Sequence, residues 1–520
     1  MKLGMNGLVR PGVWILMLFG ASLAACAGPS LVVVGDPILP APEIPQLEVA
    51  VLDETGVPLP GVIVDYSGTT VPTNHEGSAF SAWPDRAVTV SLSAPGFHPV
   101  TEVVAHLPTE RRIELNLVPV ILTGTVSNAR GTPLPDANVV LRGVSVRSDQ
   151  RGRFVIERAD PGLVQVERPG YMPAEVAWKG DSDVVALALE PRLIRSVRST
   201  GPGTGAEEWD EMLALVSATE LNAIVVDAKD EGGQVFYGTN NEDAYLAGAV
   251  GSTFDVAAAI ADLQASDIYA ITRIVTFKDD KYARAFPEIA VQATTGGVWE
   301  DSGGQAWLDP SNEDAWTYPL DLATELCEAG FDEIQFDYVR FPTDGDLESA
   351  VFSTGYDENH RVGMIAGFLQ EARTILNPLG CAVAADIFSV VLSTPDDQGL
   401  GQRIEELSWS VDVLSPMVYA SHYDSGWFGY RCPNEFPGQV VAFALDDVAD
   451  RLDGPAILRP WLEDFGFLSG PLRREGCTST HSPATVRAQI DAAESRADGW
   501  ILWNASGNYS ESAFEPAESE

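Results

Sequence analysis

The sequence predicts a multidomain chain in which two small all-β sandwiches precede an α/β (β/α)8 TIM barrel, a doubly wound open sheet being the alternative for the last part. Three observations carry this. The chain has 520 residues, more than one ordinary core organises. Two successive units repeat the same order of Gly, Pro and Asp turn phrases between short alternating strands. From Pro191 onward β-prone runs alternate with helical runs, the rhythm of a parallel sheet made of βα units.

At the N-terminus the apolar run 13–19 follows Lys2 and Arg10, is too short to span a bilayer, and has the flanks of an export signal. Leu23-Ala24-Ala25-Cys26 resembles the lipobox of bacterial lipoproteins, the alternative being a plain secretory signal with a chance cysteine. The resemblance implies a signal peptide over 1–25 and lipidation of Cys26. It places an exported protein on a membrane, at the bacterial cell surface or in the periplasm. Each buried lipid methylene would add about 0.8 kcal/mol of anchoring. Residues 26–45 are Pro-rich and read as an extended tether.

With Cys26 used, Cys327, Cys381, Cys432 and Cys477 remain, an even number that suits two disulfides in an oxidising compartment. Cys432 with Cys477 would staple two loops, and Cys327 with Cys381 would tie a helix end to a strand start. Sequence leaves the pairing open. The formal charge of −43 argues against nucleic acid or anionic lipid as an electrostatic partner, because like charges repel. No Cys-x-x-Cys or His cluster suggests a metal, no organic cofactor is expected, and oligomeric state is left open.

The two β units span 46–118 and 119–190. The first carries Gly56-Val57-Pro58-Leu59-Pro60 and Ala94-Pro95-Gly96-Phe97; its counterpart carries Gly131-Thr132-Pro133-Leu134-Pro135 and Arg168-Pro169-Gly170-Tyr171. This order resembles the carboxypeptidase regulatory-like domains of secreted proteins. It implies spacer or adhesion modules without chemistry, with dedicated glycan binding as the alternative.

Across 191–510 eight strands are expected, at 193–199, 221–228, 268–276, 332–338, 381–388, 412–419, 456–461 and 499–504, with helices at 206–219, 255–266, 312–329, 359–376, 399–409, 440–452 and 482–497. In such a barrel the strand C-terminal ends converge on the face where chemistry occurs. The 277–281 loop reads as a solvated turn and 511–520 as a frayed acidic tail.

Side-chain alternation decides which residues face the mouth. It selects Asp227 and Lys229, with Asp230 beyond, on the second strand and Arg273 on the third. Gln335 and Asp337 follow on the fourth, with Arg340 beyond, and Asp386 stands on the fifth above small Ala382 and Ala384. Tyr419 ends the sixth, Arg459 and Trp461 the seventh, and Trp503 with Asn504 the eighth. Indole faces stack on sugar rings while charged and amide groups take hydroxyl hydrogen bonds, so the mixture suits a glycan.

Glycoside hydrolysis needs two carboxyl groups flanking the scissile bond. Asp337 and Asp386 stand on neighbouring strands about 4.8 Å apart, which permits the roughly 5 Å carboxyl separation of a retaining enzyme. Lys229 and Arg273 nearby would keep one of them ionised, and that role, the nucleophile, goes to Asp337. Asp386, among apolar neighbours, is the candidate acid, with Asp227 or Asp230 as alternatives.

Bland roles are open to several of these residues. Asp227 with Lys229 would serve as a structural ion pair, Arg340 would pair with a loop carboxylate, and the Tyr419 hydroxyl would cap the core. Trp461 and Trp503 serve equally as packing.

The phrases Val225-Val226-Asp227-Ala228-Lys229-Asp230, Phe336-Asp337-Tyr338-Val339-Arg340-Phe341-Pro342, Ala385-Asp386-Ile387-Phe388, Arg459-Pro460-Trp461-Leu462 and Gly499-Trp500-Ile501-Leu502-Trp503-Asn504 resemble motifs of the putative glycoside hydrolase domain family, distantly related to the α-amylase-like barrels. The resemblance implies hydrolysis of a polysaccharide or other glycan, with Asp337 at the nucleophile position and Asp386 where relatives generally use Glu. It also implies Gln at the position of Glu463. Rival readings are a non-catalytic glycan-binding or adhesion lipoprotein on a degenerate barrel, and a metal-dependent hydrolase using the acidic rim.

Overall fold

A computed structural model describes residues 44–180, 184–449 and 451–517. The expected export signal, Cys26 and nearly all of the expected tether lie outside the described residues. The chain divides into two compact units, one built of residues up to Leu52, Pro58–Leu92 and Thr101–Leu115, and the other of Asp53–Val57, Ser93–Val100 and the chain from Asn116 onward.

Strict alternation shapes the N-terminal sheets. In Val88–Ser93 the valines and Leu92 are buried while the Thr and Ser between them are more exposed, so one face packs and the other is wet. Ser78–Ala82, Gln46–Asp53 and Arg112–Leu117 form a three-stranded sheet, and Thr69–Pro72, Ile63–Tyr66, Val88–Ser93 and Val100–Val104 a four-stranded one. The repeat reproduces this plan. Arg153–Glu157, Ile121–Asn128 and Val184–Leu189 make three strands; Val144–Arg147, Asn138–Leu141, Gly162–Glu167 and Ala174–Trp178 make four.

The C-terminal part is a closed barrel of eight parallel strands. They are β1 (Ile194–Ser199), β2 (Ala223–Lys229), β3 (Tyr269–Val275), β4 (Glu333–Asp337), β5 (Ala382–Phe388), β6 (Val413–Val418), β7 (Ile457–Leu458 continued by Trp461–Glu463) and β8 (Gly499–Trp503). Closure is made by β1, which pairs with β2 through Ser196↔Ala223 and with β8 through Ile194↔Gly499. Pro460, which has no amide proton, interrupts β7 between its two pieces.

Helices lie between the strands close to the expected places. Thr317–Ala329 ends at Gly330, whose φ of 114° provides the left-handed C-cap that a side chain resists. The fifth expected helix begins late, at Ile404, because Gly399 and Gly401 at φ 78° and 79° form a turn first.

Three features depart from expectation. Strands Val235–Tyr237 and Val250–Phe254 extend the sheet beyond β2. The 277–281 loop is not a solvated turn: Phe277 and Asp279 are fully buried, and Asp279 caps the helix Asp280–Ala285. Residues 511–517 are not frayed, since Ala513 and Phe514 are buried and Pro516 bridges to Thr219. Both cysteine pairs are bonded, Cys327–Cys381 and Cys432–Cys477.

The second set of sheets shares a core with the barrel. Ala384, Val413 and Ile457 from the lower ends of β5, β6 and β7 pack with Val139, Val164 and Tyr171. The turn Arg168-Pro169-Gly170-Tyr171 docks there. Arg168 Nη2 donates to Asp412 Oδ1 at 3.1 Å, and the Tyr171 hydroxyl donates to Pro455 O at 2.5 Å. A Cβ on Gly170, at φ 81°, would press to 3.1 Å of Ile457 Cδ1. The barrel floor is therefore closed by its neighbour, and chemistry is left to the opposite, open face.

Candidate active site

The barrel interior is polar in layers. Lowest, Arg459 Nη1 donates to Glu333 Oε1 at 2.7 Å with both side chains fully buried. Above it, Gln335 Nε2 donates to Ser415 Oγ at 3.2 Å. The top layer holds Asp227, Arg273, Asp337 and Asp386, all buried. Buried charges survive best when paired, and Arg459 with Glu333 and Arg273 with Asp337 are such pairs.

Arg273 is the hub of that layer. Its Nε and Nη2 donate to Asp337 Oδ2 at 3.0 and 2.5 Å, its Nη1 donates to Asp227 Oδ1 at 3.2 Å, and Asp386 Oδ2 lies 3.9 Å from Nε. Burial opposes the charge, but Asp337, Asp227 and Asp386 outweigh it and raise the guanidinium pKa well above its ordinary value. Asp337 and Asp386 thus flank one nitrogen, which bounds the separation of those two oxygens at about 7 Å.

The two acids sit in different environments. Asp337 takes a further hydrogen bond on Oδ1 from the Tyr338 amide at 2.6 Å. That amide is aimed by a left-handed Tyr338, φ 49°, a conformation costly for a bulky residue and common where a site imposes it. Asp386 is held by the indole N–H of Trp461, which donates to Oδ1 at 2.7 Å. Burial first, and then the Asp337 charge, raise the Asp386 pKa well above the carboxylate range, against the opposing pull of Arg273 and Trp461. Asp337 therefore lies against a cation, while burial favours a proton on Asp386.

Both face one cavity of about 580 Å³ at the strand C-terminal ends. Of the residues singled out from sequence, Arg273, Asp337, Arg340, Asp386, Tyr419, Trp461 and Trp503 line it. Trp461 is buried and spends its N–H on Asp386, whereas Trp503 is half-buried beneath Arg198 and Arg273, whose guanidinium carbons lie 4.1 and 5.1 Å from its ring centroid. Burial and the charges of Asp386 and Asp337 push the Tyr419 hydroxyl well above its ordinary pKa.

The others lie elsewhere. Lys229 does not reach the carboxyl pair: a register shift between Asp227 and Lys229 turns it out of the mouth, where it meets Asp279 Oδ2 at 2.9 Å and donates to Val275 O at 2.5 Å. Asp227 instead holds Arg198 and Arg273, not Lys229. Asp230 is absorbed in a turn, accepting from the Gly232 and Gln234 amides. Gln335 and Arg459 point inward but sit below the cavity, and Asn504 donates to Asp464 O at 2.6 Å. Arg340 has no carboxylate partner within ion-pair distance among the described residues. It lies against Trp307, Tyr338 and Phe388, with ring centroids 4.8–4.9 Å away.

Sequence reasoning did not select Arg198, which closes the ion network from β1. It also missed Phe388 at the end of β5, and Glu231, His422, Tyr423, Asp424 and Trp427 on segments that rim the cavity. The aromatic density after Tyr419 was the available signal. Among the described residues no cluster of His, Cys, Asp and Glu forms a metal site.

Residues 199–509 match the family described as a putative glycosyl hydrolase domain. No curated protein matches the chain. Among solved structures, a hypothetical protein from Ruminiclostridium thermocellum is 39% identical over 36% of this chain and 96% of its own, with a TM-score of 0.34. The PgaB (BpsB) glycoside hydrolase domain from Bordetella bronchiseptica is 14% identical over 61% and 95%, TM-score 0.43. A chitinase from Chromobacterium violaceum is 13% identical over 61% and 96%, TM-score 0.37.

Proposed function

The chain belongs to the putative glycosyl hydrolase domain family, and from that premise we propose that it cleaves glycosidic bonds in a polysaccharide by a retaining, two-carboxylate mechanism. The observation that carries the reading is the placement of Asp337 and Asp386 around one guanidinium, facing one cavity, with the cation bonded to Asp337 and burial opposing charge on Asp386. Asp337 attacks the anomeric carbon as the bond to the leaving oxygen breaks, and Asp386 gives that oxygen its proton. In the second half, Asp386 takes a proton from water, whose oxygen displaces Asp337 from the glycosyl ester. Arg273 holds Asp337 in position through both steps, and Trp503 and Tyr419 offer ring surface to the sugar.

The N-terminal sheets serve in this proposal as spacers of the carboxypeptidase regulatory-like kind, and a lipid on Cys26 holds the protein to the membrane of an exported compartment. The rival is a glycan-binding protein without turnover. It is favoured by one observation, that both oxygens of Asp337 are already hydrogen-bonded.

The test is the anomeric configuration of the first product, followed by NMR on the full chain with a panel of oligosaccharides. Retention supports the mechanism, inversion overturns it, and saturable binding without product establishes the rival.

A further inference from the structure

A hydrogen-bond chain runs from the interior to the cavity wall beside the carboxyl pair. Ser421 and His422 belong to the turn Ala420–His422 after β6, and Glu463 ends β7. Glu463 Oε2 accepts from the Ser421 amide at 3.1 Å and from its hydroxyl at 2.6 Å. The same Ser421 Oγ lies 3.1 Å from His422 Nδ1. His422 lines the cavity, with its ring 5.1 Å from Phe467 and 6.1 Å from Phe465. No partner for its Nε2 occurs among the described residues.

A serine has one proton to donate, and that constraint couples the ends of the chain. When Glu463 is ionised it takes the Ser421 proton, so Ser421 Oγ must accept from His422 Nδ1–H, and Nε2 is left as a bare acceptor. When Glu463 is protonated, Ser421 donates to Nδ1 and the imidazole proton sits on Nε2. We infer that Glu463, acting through Ser421, sets which nitrogen of His422 carries the proton, and so whether the cavity meets a sugar hydroxyl with an acceptor or a donor. The change balances: one proton taken up at Nε2 sends the Nδ1 proton to Ser421 Oγ, whose own proton passes to Glu463 Oε2. Glu463 and Ser421 are positioning residues, and His422 is the group that meets the ligand.

Surrounding groups allow the switch to operate near neutrality. Burial raises the Glu463 pKa to about 7, with the Ser421 hydrogen bonds and His481 opposing. Burial lowers that of His422, which disfavours the imidazolium. His481 faces Glu463 but is itself held by Asp464 Oδ1 at 2.7 Å. Gln489 meets Glu463 at its backbone and not at its carboxyl, and Asp424 shares the cavity with His422.

The use of this switch in sugar binding rests on the proposed function, but its existence does not, so the test reads the imidazole directly. The whole chain carries six histidines, few enough for selective ¹⁵N labelling, with His422→Asn identifying the resonances. Between about pH 8 and about pH 6 the wild-type His422 signals should pass from the Nδ1–H to the Nε2–H pattern. Glu463→Gln should hold the Nδ1–H pattern throughout, because the carboxamide oxygen still accepts both Ser421 donors and no longer titrates. Ser421→Ala should remove the pH response while Glu463 remains.

A wild-type tautomer that does not change, a response in Glu463→Gln equal to the wild type, or conversion to imidazolium across this range would overturn the inference. A coupled tautomer in a protein that hydrolyses no glycan would overturn the proposed function and leave this one standing.

Discussion

Replacing Arg273 by Met removes the cation that three buried carboxylates share. Asp227 keeps Arg198, whose Nε donates to it at 2.9 Å, and burial favours a proton on Asp386, so the loss falls on Asp337. Arg273 exposes only 3% of its side chain, so the pair it makes is a buried one. Breaking a buried pair from one side costs about 3–5 kcal/mol, most of it the penalty for the charge left behind. Protonating the orphaned Asp337 carboxyl relieves that penalty, so the deficit should shrink on acidification. Denaturant unfolding of the full chain at pH 7 and near pH 4.5 measures both points. A deficit below about 1 kcal/mol at pH 7, or one equal at both pH values, would refute the view that Arg273 holds the pair together.

Three further outcomes are expected. Glu463→Gln should stabilise the protein by roughly 3 kcal/mol above pH 7, from a carboxyl pKa raised from 4.5 to about 7. The buried carboxyl binds its proton more tightly folded than unfolded, so wild-type stability falls as pH rises from 4.5 to 7, and the advantage of Gln should vanish near pH 4; melting curves across that range check it. Converting Cys327 and Cys381 to Ala opens a 54-residue loop, an expected loss of about 4 kcal/mol by chain entropy, read as a drop in denaturation midpoint under non-reducing conditions. A chain beginning at residue 191 uncovers Val413 and Ile457 and unpairs Arg168 from Asp412, so it should lose at least about 2 kcal/mol relative to the full chain; equal melting of the two would show that the barrel does not need its neighbour.

Much of this architecture was legible because strand alternation and turn chemistry are local. Alternation brought Asp337, Asp386, Arg273 and Tyr419 to one mouth without any knowledge of contacts. The same rule failed at Lys229, because a single register shift in β2 reverses every later side chain and leaves no mark in composition. At Gln335 and Arg459 the direction was right and the height wrong: alternation says which side chains point inward, not which layer they occupy. Arg340 followed from charge alone to a carboxylate, whereas the rings of Trp307, Tyr338 and Phe388 claim it. His422, Tyr423 and Trp427 lie on loops whose paths depend on tertiary packing, so their aromatic density was visible and their convergence was not. The docking of Arg168-Pro169-Gly170-Tyr171 on the barrel floor was likewise hidden, since the phrase reads locally as a turn.

The most direct measurement is turnover of a responsive oligosaccharide by the full chain carrying Asp337→Asn or Asp386→Asn, with folding of each variant checked by its melting curve. The account predicts that both remain folded and that each loses at least about 10²-fold in rate. Wild-type turnover by both variants would contradict it.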